Sequence, residues 1–178
     1  LNLLARSDSL ARTSQSGGLV LRNSCLRAGF LSQSDRATEA HAIIDSIQPM
    51  LATAAPADLP DCLVTMAGIL TDDKKADSAA LIGRKAIALM EQGGDTAEMR
   101  FIGALDMLAN ALENSHHRRE ALAVYQRIAT MLDKRGRRES VTWNVISNNI
   151  GIALSNLGQL VEAEPVLRET ADQFRRSN

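Results

Sequence analysis

The sequence predicts an all-α chain built from repeated helix pairs, and three observations carry that expectation. First, apolar residues recur at helical spacing: Ile146, Ile150, Leu154 and Leu157 on one segment, then Leu160, Ala163, Leu167 and Phe174 on the next. Asn156, Leu157 and Gly158 separate the two, and Gly158 tolerates the positive φ of a tight turn. Second, the pair recurs. Ala163 in GQLVEAEPVLRET matches Ala121 in HHRREALAVYQRI, 42 residues earlier, and Ala79 in ADSAALIGRKAIALM lies 42 residues before that. The Glu–Ala pair of TEAHAIIDSIQPML places a fourth equivalent at Ala40. Third, aromatics are only 3% and prolines four, so the core must be made of Ala, Leu, Ile, Val and Met, as helical stacks often are.

Taken in order, Leu3 to Ser14 reads as the second helix of an incomplete repeat (1–16), broken by Gly17 and Gly18. Repeat one spans 19–52. Its helices meet at Gln33, Ser34 and Asp35, with Ser34 or Asp35 as the cap, and Pro49 kinks or ends its second helix. Repeat two spans 58–93. Asp58 is its expected N-cap, Pro60 sits in a first turn whose N–H groups are unpaired anyway, and Leu63, Met66, Ala67 and Leu70 face inward. Asp72 to Lys75 form its turn; its second helix selects either Ala79 or Ala80 as the small contact residue. Repeat three spans 96–136, opened by Asp95 and Glu98 in a capping-box arrangement. Leu105, Leu108, Ala109 and Leu112 line its first helix, and Ala121, Tyr125, Ile128 and Leu132 its second, with Gly136 closing it. Repeat four spans 140–177, with Ser140 as N-cap and Pro165 early in its second helix. The count is nine helices, no strand and one domain over 1–178.

The small residues Gly151 and Ala163, twelve positions apart around the turn, resemble the tetratricopeptide repeat, a helix–turn–helix unit that stacks because it cannot bury its apolar face alone. The family's usual period is about 34 residues; the longer period here resembles the kinesin light chain type. The chain departs from the family pattern in places. The large aromatic early in the first helix is missing, His116 stands for a turn glycine, and Gly83 stands where a bulky residue packs if Ala79 sets the register. The resemblance implies a right-handed superhelix of antiparallel helix pairs.

Chemistry is poorly provisioned. Three histidines leave little for acid–base work; His116 and His117 adjoin in a turn without further metal ligands, and His41 lies in a helix. No GxSxG elbow, GxxxxGK[ST] or GxGxxG is present. No catalytic residue, metal site or cofactor is expected, and the chain reads as a non-enzyme. Twenty Lys and Arg against twenty-one Asp and Glu give a net charge of −1, so nothing drives it to nucleic acid or anionic lipid. The run Lys134, Arg135, Arg137, Arg138 reads as a solvated helix end. No window approaches a membrane span. Cys25 and Cys62 lack CxxC spacing and are expected as buried free thiols, compatible with a cytoplasmic location. The missing initiator Met suggests a fragment of a longer protein.

What remains is surface. The resemblance implies that first helices line a concave groove whose polar positions contact a protein or peptide partner. Carried over repeat by repeat, these are Arg22, Cys25 and Gly29; Asp61, Val64 and Gly68; Asp106, Asn110 and Glu113; and Asn148, Ile152, Ser155 and Asn156. The set holds one cation, Arg22, against three carboxylates, so neutral or basic segments are expected, bound through their backbone by Asn148 and its neighbours. The expected function is a protein–protein interaction scaffold, the regulatory part of a larger signalling protein. Its Ala-, Leu- and Arg-rich style resembles arrays in bacterial Ser/Thr kinases and transcriptional regulators. The alternative is a structural element that self-assembles into homo-oligomers through exposed ends carrying Val166, Leu167 and Phe174.

Overall fold

A computed structural model describes residues 17–96, 99–138 and 140–177. Among them are eight α-helices and no strand: α1 (Gly17–Ser32), α2 (Ala37–Thr53), α3 (Pro60–Asp72), α4 (Ala76–Gln92), α5 (Met99–Asn114), α6 (Arg118–Asp133), α7 (Val141–Asn156) and α8 (Leu160–Ser177), with a 3₁₀ turn at Pro56–Asp58. The expected ninth helix, Leu3 to Ser14, falls outside the described residues, as does Glu98 of the expected capping box.

The turns within repeats share one design. Asp35, Lys74, His116 and Gly158 each have positive φ, at 56°, 61°, 63° and 78°. One residue later the amides of Arg36, Lys75, His117 and Gln159 bond back to the carbonyls of Leu31, Leu70, Leu112 and Leu154. This six-to-one bond is the Schellman closure, which satisfies carbonyls that a helix end leaves orphaned. Gly94 and Gly136 repeat it between repeats. These bonds close the end of the preceding helix, and the side-chain N-caps expected at the start of the next are mostly not formed. Neither Ser34 nor Asp35 caps α2; Arg36 occupies that position without a side-chain bond. Leu59 rather than Asp58 precedes α3, and Pro60 takes the first turn. Ser140 does cap α7, accepting from the Trp143 amide. Gly17 and Gly18 begin α1, and the helix they were expected to break lies outside the described residues; Pro49 lies inside α2, which runs on to Thr53.

The positive-φ residues fix the register. Five positions after each comes a buried alanine: Ala40, Ala79, Ala121 and Ala163. Seven positions before each comes another buried small residue, Ala28, Ala67, Ala109 or Gly151. Ala79 is thus the true equivalent in repeat two, and Gly83 does stand at the place of Ile44, Tyr125 and Leu167. The missing volume is filled from α5, whose Leu108 Cδ1 would lie 3.2 Å from a Cβ at Gly83.

Two apolar clusters result. One joins α1, α2 and α3 around Leu21, Ile47, Cys62 and Ile69; the other joins α4 to α7 around Phe101, Leu105, Ile128 and Ile146. Cys25 and Cys62, expected as free thiols, are paired as a disulfide between α1 and α3, with Cα atoms 5.2 Å apart. The bonding follows from the crossing of the two helices, which a separation of 37 residues does not reveal.

Successive first helices touch each other directly, α1 on α3 and α3 on α5, to a degree no pair of second helices matches. First helices therefore form the inner wall of the curve. Two glycines explain how closely they approach. A Cβ on Gly29 would sit 3.2 Å from Thr65 Cγ2 of α3, and one on Gly68 would sit 3.3 Å from Met107 Cε of α5. The next equivalents are Asn110 and Ile152, and direct backbone contact does not continue at that level from α5 to α7.

Candidate functional site

The inner wall divides into two halves. In the first, α1, α3 and α5 enclose a pocket of about 380 Å³. Gly29, Val64, Gly68, Ile69 and Met107 give it apolar walls, while Ser32, Thr65, Thr71, Asp72 and Asn110 supply polar groups. The volume falls within the range of pockets that hold small ligands or side chains. Thr65 and Thr71 bond back to carbonyls of their own helix, at Asp61 and Ala67, and Ser32 Oγ donates to Asp72 Oδ2 at 2.8 Å.

In the second half, α5 presents Asp106, Asn110 and Glu113 along one face, at spacings of four and three. Tyr125, buried in α6, donates its hydroxyl to Asn110 Oδ1 at 2.8 Å. That bond orients the amide, leaving its NH₂ group as the end available to a ligand. Burial raises the Tyr125 pKa above the ordinary phenol value, and the nearby charges of Asp106 and Glu113 raise it further, so it remains a donor. Glu113 Oε1 accepts from Asn156 Nδ2 at 2.7 Å and lies 3.8 Å from Arg118 Nε, too far for a hydrogen bond. Its other oxygen is buried without a partner.

Asp106 differs from the rest. Its Oδ1 is buried and has no hydrogen-bond partner, and burial alone holds its carboxyl above the usual aspartate range.

The sequence-derived candidates separate accordingly. Asp61 is consumed within the fold by Arg22 at 3.4 Å and Arg100 at 3.2 Å. Arg100 also pairs with Asp95. Arg22 is therefore not a lone cation at the end of the wall, and Arg100 and Arg118 are participants that the repeat pattern did not mark. Cys25, expected in the groove, is 1% exposed and bonded to Cys62, so it offers a ligand nothing. Gly29, Val64, Gly68 and Asn110 come together in the pocket. Asn148 is half-buried, Ile152 is exposed, Ser155 bonds to the Gly151 carbonyl, and Asn156 is held by Glu113.

Among the described residues no group of His, Cys, Asp and Glu is arranged to hold a metal ion, and no helix is long and apolar enough to cross a membrane.

The sequence matches no family model and no curated protein. The fold has solved counterparts. Two crystal structures of a Podosopora anserina putative kinesin light chain with nearly identical TPR-like repeats superpose with TM-scores of 0.77 and 0.75, each at 14% identity. They span 99% of this chain and 85% and 86% of theirs. BtubC (BKLC) from P. vanneervenii superposes with a TM-score of 0.78 at 15% identity, over 99% of this chain and 72% of its own. At such identities the likeness concerns the fold.

Proposed function

We infer that this all-α solenoid, with its tetratricopeptide-like repeat fold, works as such architectures generally do, through protein–protein interaction or assembly. We propose that it holds an extended segment of a partner protein against its inner wall and acts as the recognition part of a larger signalling protein. The observation that carries this reading is the pocket between α1, α3 and α5, with Asn110 at its edge. Asn110 is oriented before any ligand arrives, which lowers the entropy lost on binding. Its NH₂ group suits a peptide carbonyl, and Asn148 offers a further donor and acceptor one repeat on. Neutral or basic segments fit best, because the wall's own arginines are already engaged with its carboxylates. The test is capture of peptides from an immobilised random library by the whole chain. Selective capture that is weakened several-fold in Asn110→Ala supports the reading, and a library from which nothing is retained overturns it.

A second reading, self-association through the last helix, has its own observation: Leu160 and Val161 of α8 are 65% and 84% exposed. Against it, α8 carries Glu164, Thr170 and Gln173 where α6 has Leu122, Ile128 and Met131. Of these, Glu164 and Gln173 replace the partly buried Leu122 and Met131, so α8 offers an apolar partner less than α6 does, while Thr170 is buried like Ile128. Light scattering over a concentration series separates the two readings.

A further inference from the structure

We propose that the partner segment carries an apolar residue and a lysine or arginine two positions apart, the apolar side chain entering the Gly29–Gly68 pocket and the cation resting on Asp106. The inference rests on the peptide-binding reading above and adds the chemical identity of the bound segment.

The inner wall has several carboxylates, and all but one have work to do. Asp61 holds Arg22 and Arg100, Asp72 accepts from Ser32, and Glu113 holds Asn156 and faces Arg118. Glu113 also keeps one buried oxygen without a donor, but its other oxygen is held by Asn156; Asp106 alone makes no hydrogen bond or ion pair among the described residues, and its Oδ1 is buried. A buried acceptor left unmatched is an expense that a fold normally avoids. A carboxylate offers acceptors only, so a complementary ligand must bring donors, and a cation brings them with the opposite charge. An acidic tail would instead meet like charge on a partly dehydrated surface.

The pocket fixes the second element. Asn110 lines it, and Asp106 lies four residues earlier on the same face of α5. One helical turn separates the two by about 6 Å along the axis. An extended chain advances about 6.6 Å over two residues, and residues two apart point to the same side. A segment lying along α5 thus places one side chain over the pocket and another over Asp106, while the residue between them points away. The Asn110 amide stands at the pocket end of this path, within reach of a backbone carbonyl of the segment.

Asp106→Asn is the decisive variant. It is isosteric and removes a charge that burial disfavours, so it folds at least as well as the parent. The probe is an immobilised library of random peptides, followed by the best binder and its Lys/Arg→Ala partner measured against parent and variant. Enrichment of apolar-x-basic or basic-x-apolar peptides is expected. Asp106→Asn should weaken the basic peptide about tenfold or more and leave the alanine peptide nearly unchanged, the non-additivity that marks a direct pair. Peptides selected without a basic residue, or equal losses for both peptides, overturn the motif while leaving peptide binding intact. A library that yields no binder overturns both.

Discussion

The two halves of the inner wall solve the same packing problem differently. Between α1 and α3 the helices lie close, Gly29 leaves room for Thr65, and the Cys25–Cys62 bond ties the pair together. From α5 to α7 the same position holds Asn110 and then Ile152, direct backbone approach lapses, and polar links replace it: Tyr125 to Asn110, Asn156 to Glu113, and Arg118 to the Asn156 carbonyl. The first half is closed by shape and a covalent bond. The second keeps unsatisfied acceptors at Asp106 and Glu113. Small residues let helices close on one another, whereas larger polar ones hold them apart and leave functional groups for a partner.

The largest expected effect tests the covalent side of that contrast. Removing the bond with Cys25→Ala/Cys62→Ala should lower stability by about 2–4 kcal/mol, the typical contribution of such a cross-link. Reductant should lower the parent's melting temperature and leave the double variant's unchanged. Equal melting of parent and variant under oxidising conditions would remove the distinction between the halves.

Next comes the small-residue stripe that both halves share. Ala163 is 2% exposed, and Ala163→Leu should overpack the α7–α8 contact by roughly 1–3 kcal/mol. Ala121→Leu, at a site with 0% exposure, should act alike between α5 and α6. Denaturant midpoints check both, and an unshifted midpoint for either would mean that the register assigned to that repeat is wrong.

A smaller effect probes the polar half. Tyr125→Phe removes the only hydroxyl donor to Asn110 Oδ1 among the described bonds, and should cost about 1 kcal/mol. It should also weaken peptide capture, because the amide is then free to turn. Loss of stability with capture unaltered would separate Asn110 from the site.

The smallest effect has the opposite sign. Burial raises the folded-state pKa of Asp106 above its unfolded value, so ionisation opposes folding. The penalty is present above the unfolded pKa and is relieved as pH falls through the raised folded pKa. Asp106→Asn should therefore melt slightly higher than the parent at neutral pH, with the difference fading in acid. A variant that melts lower at neutral pH would show that the carboxylate is matched after all.

The sequence by itself determined the helices from residue 17 onward, their pairing and the register of three repeats, while in the second it left Ala79 and Ala80 as alternatives. Apolar spacing and a recurring small residue are local patterns, and one period copied four times repeats the same packing instruction. Spacing put Asp106, Asn110 and Asn148 on particular helix faces, and only the resemblance to the tetratricopeptide repeat implied that those faces line a groove. Only the tertiary structure decided which of those residues are spent inside the fold. Asp61 meets Arg100, 39 residues away, Asn156 meets Glu113, 43 residues away, and Cys25 bonds to Cys62 at a separation of 37. Such pairings depend on how closely neighbouring helices cross. That distance is set by side-chain volume at the contact, at Gly29 and Gly68 on one side and Asn110 on the other, and not by any periodicity along the chain.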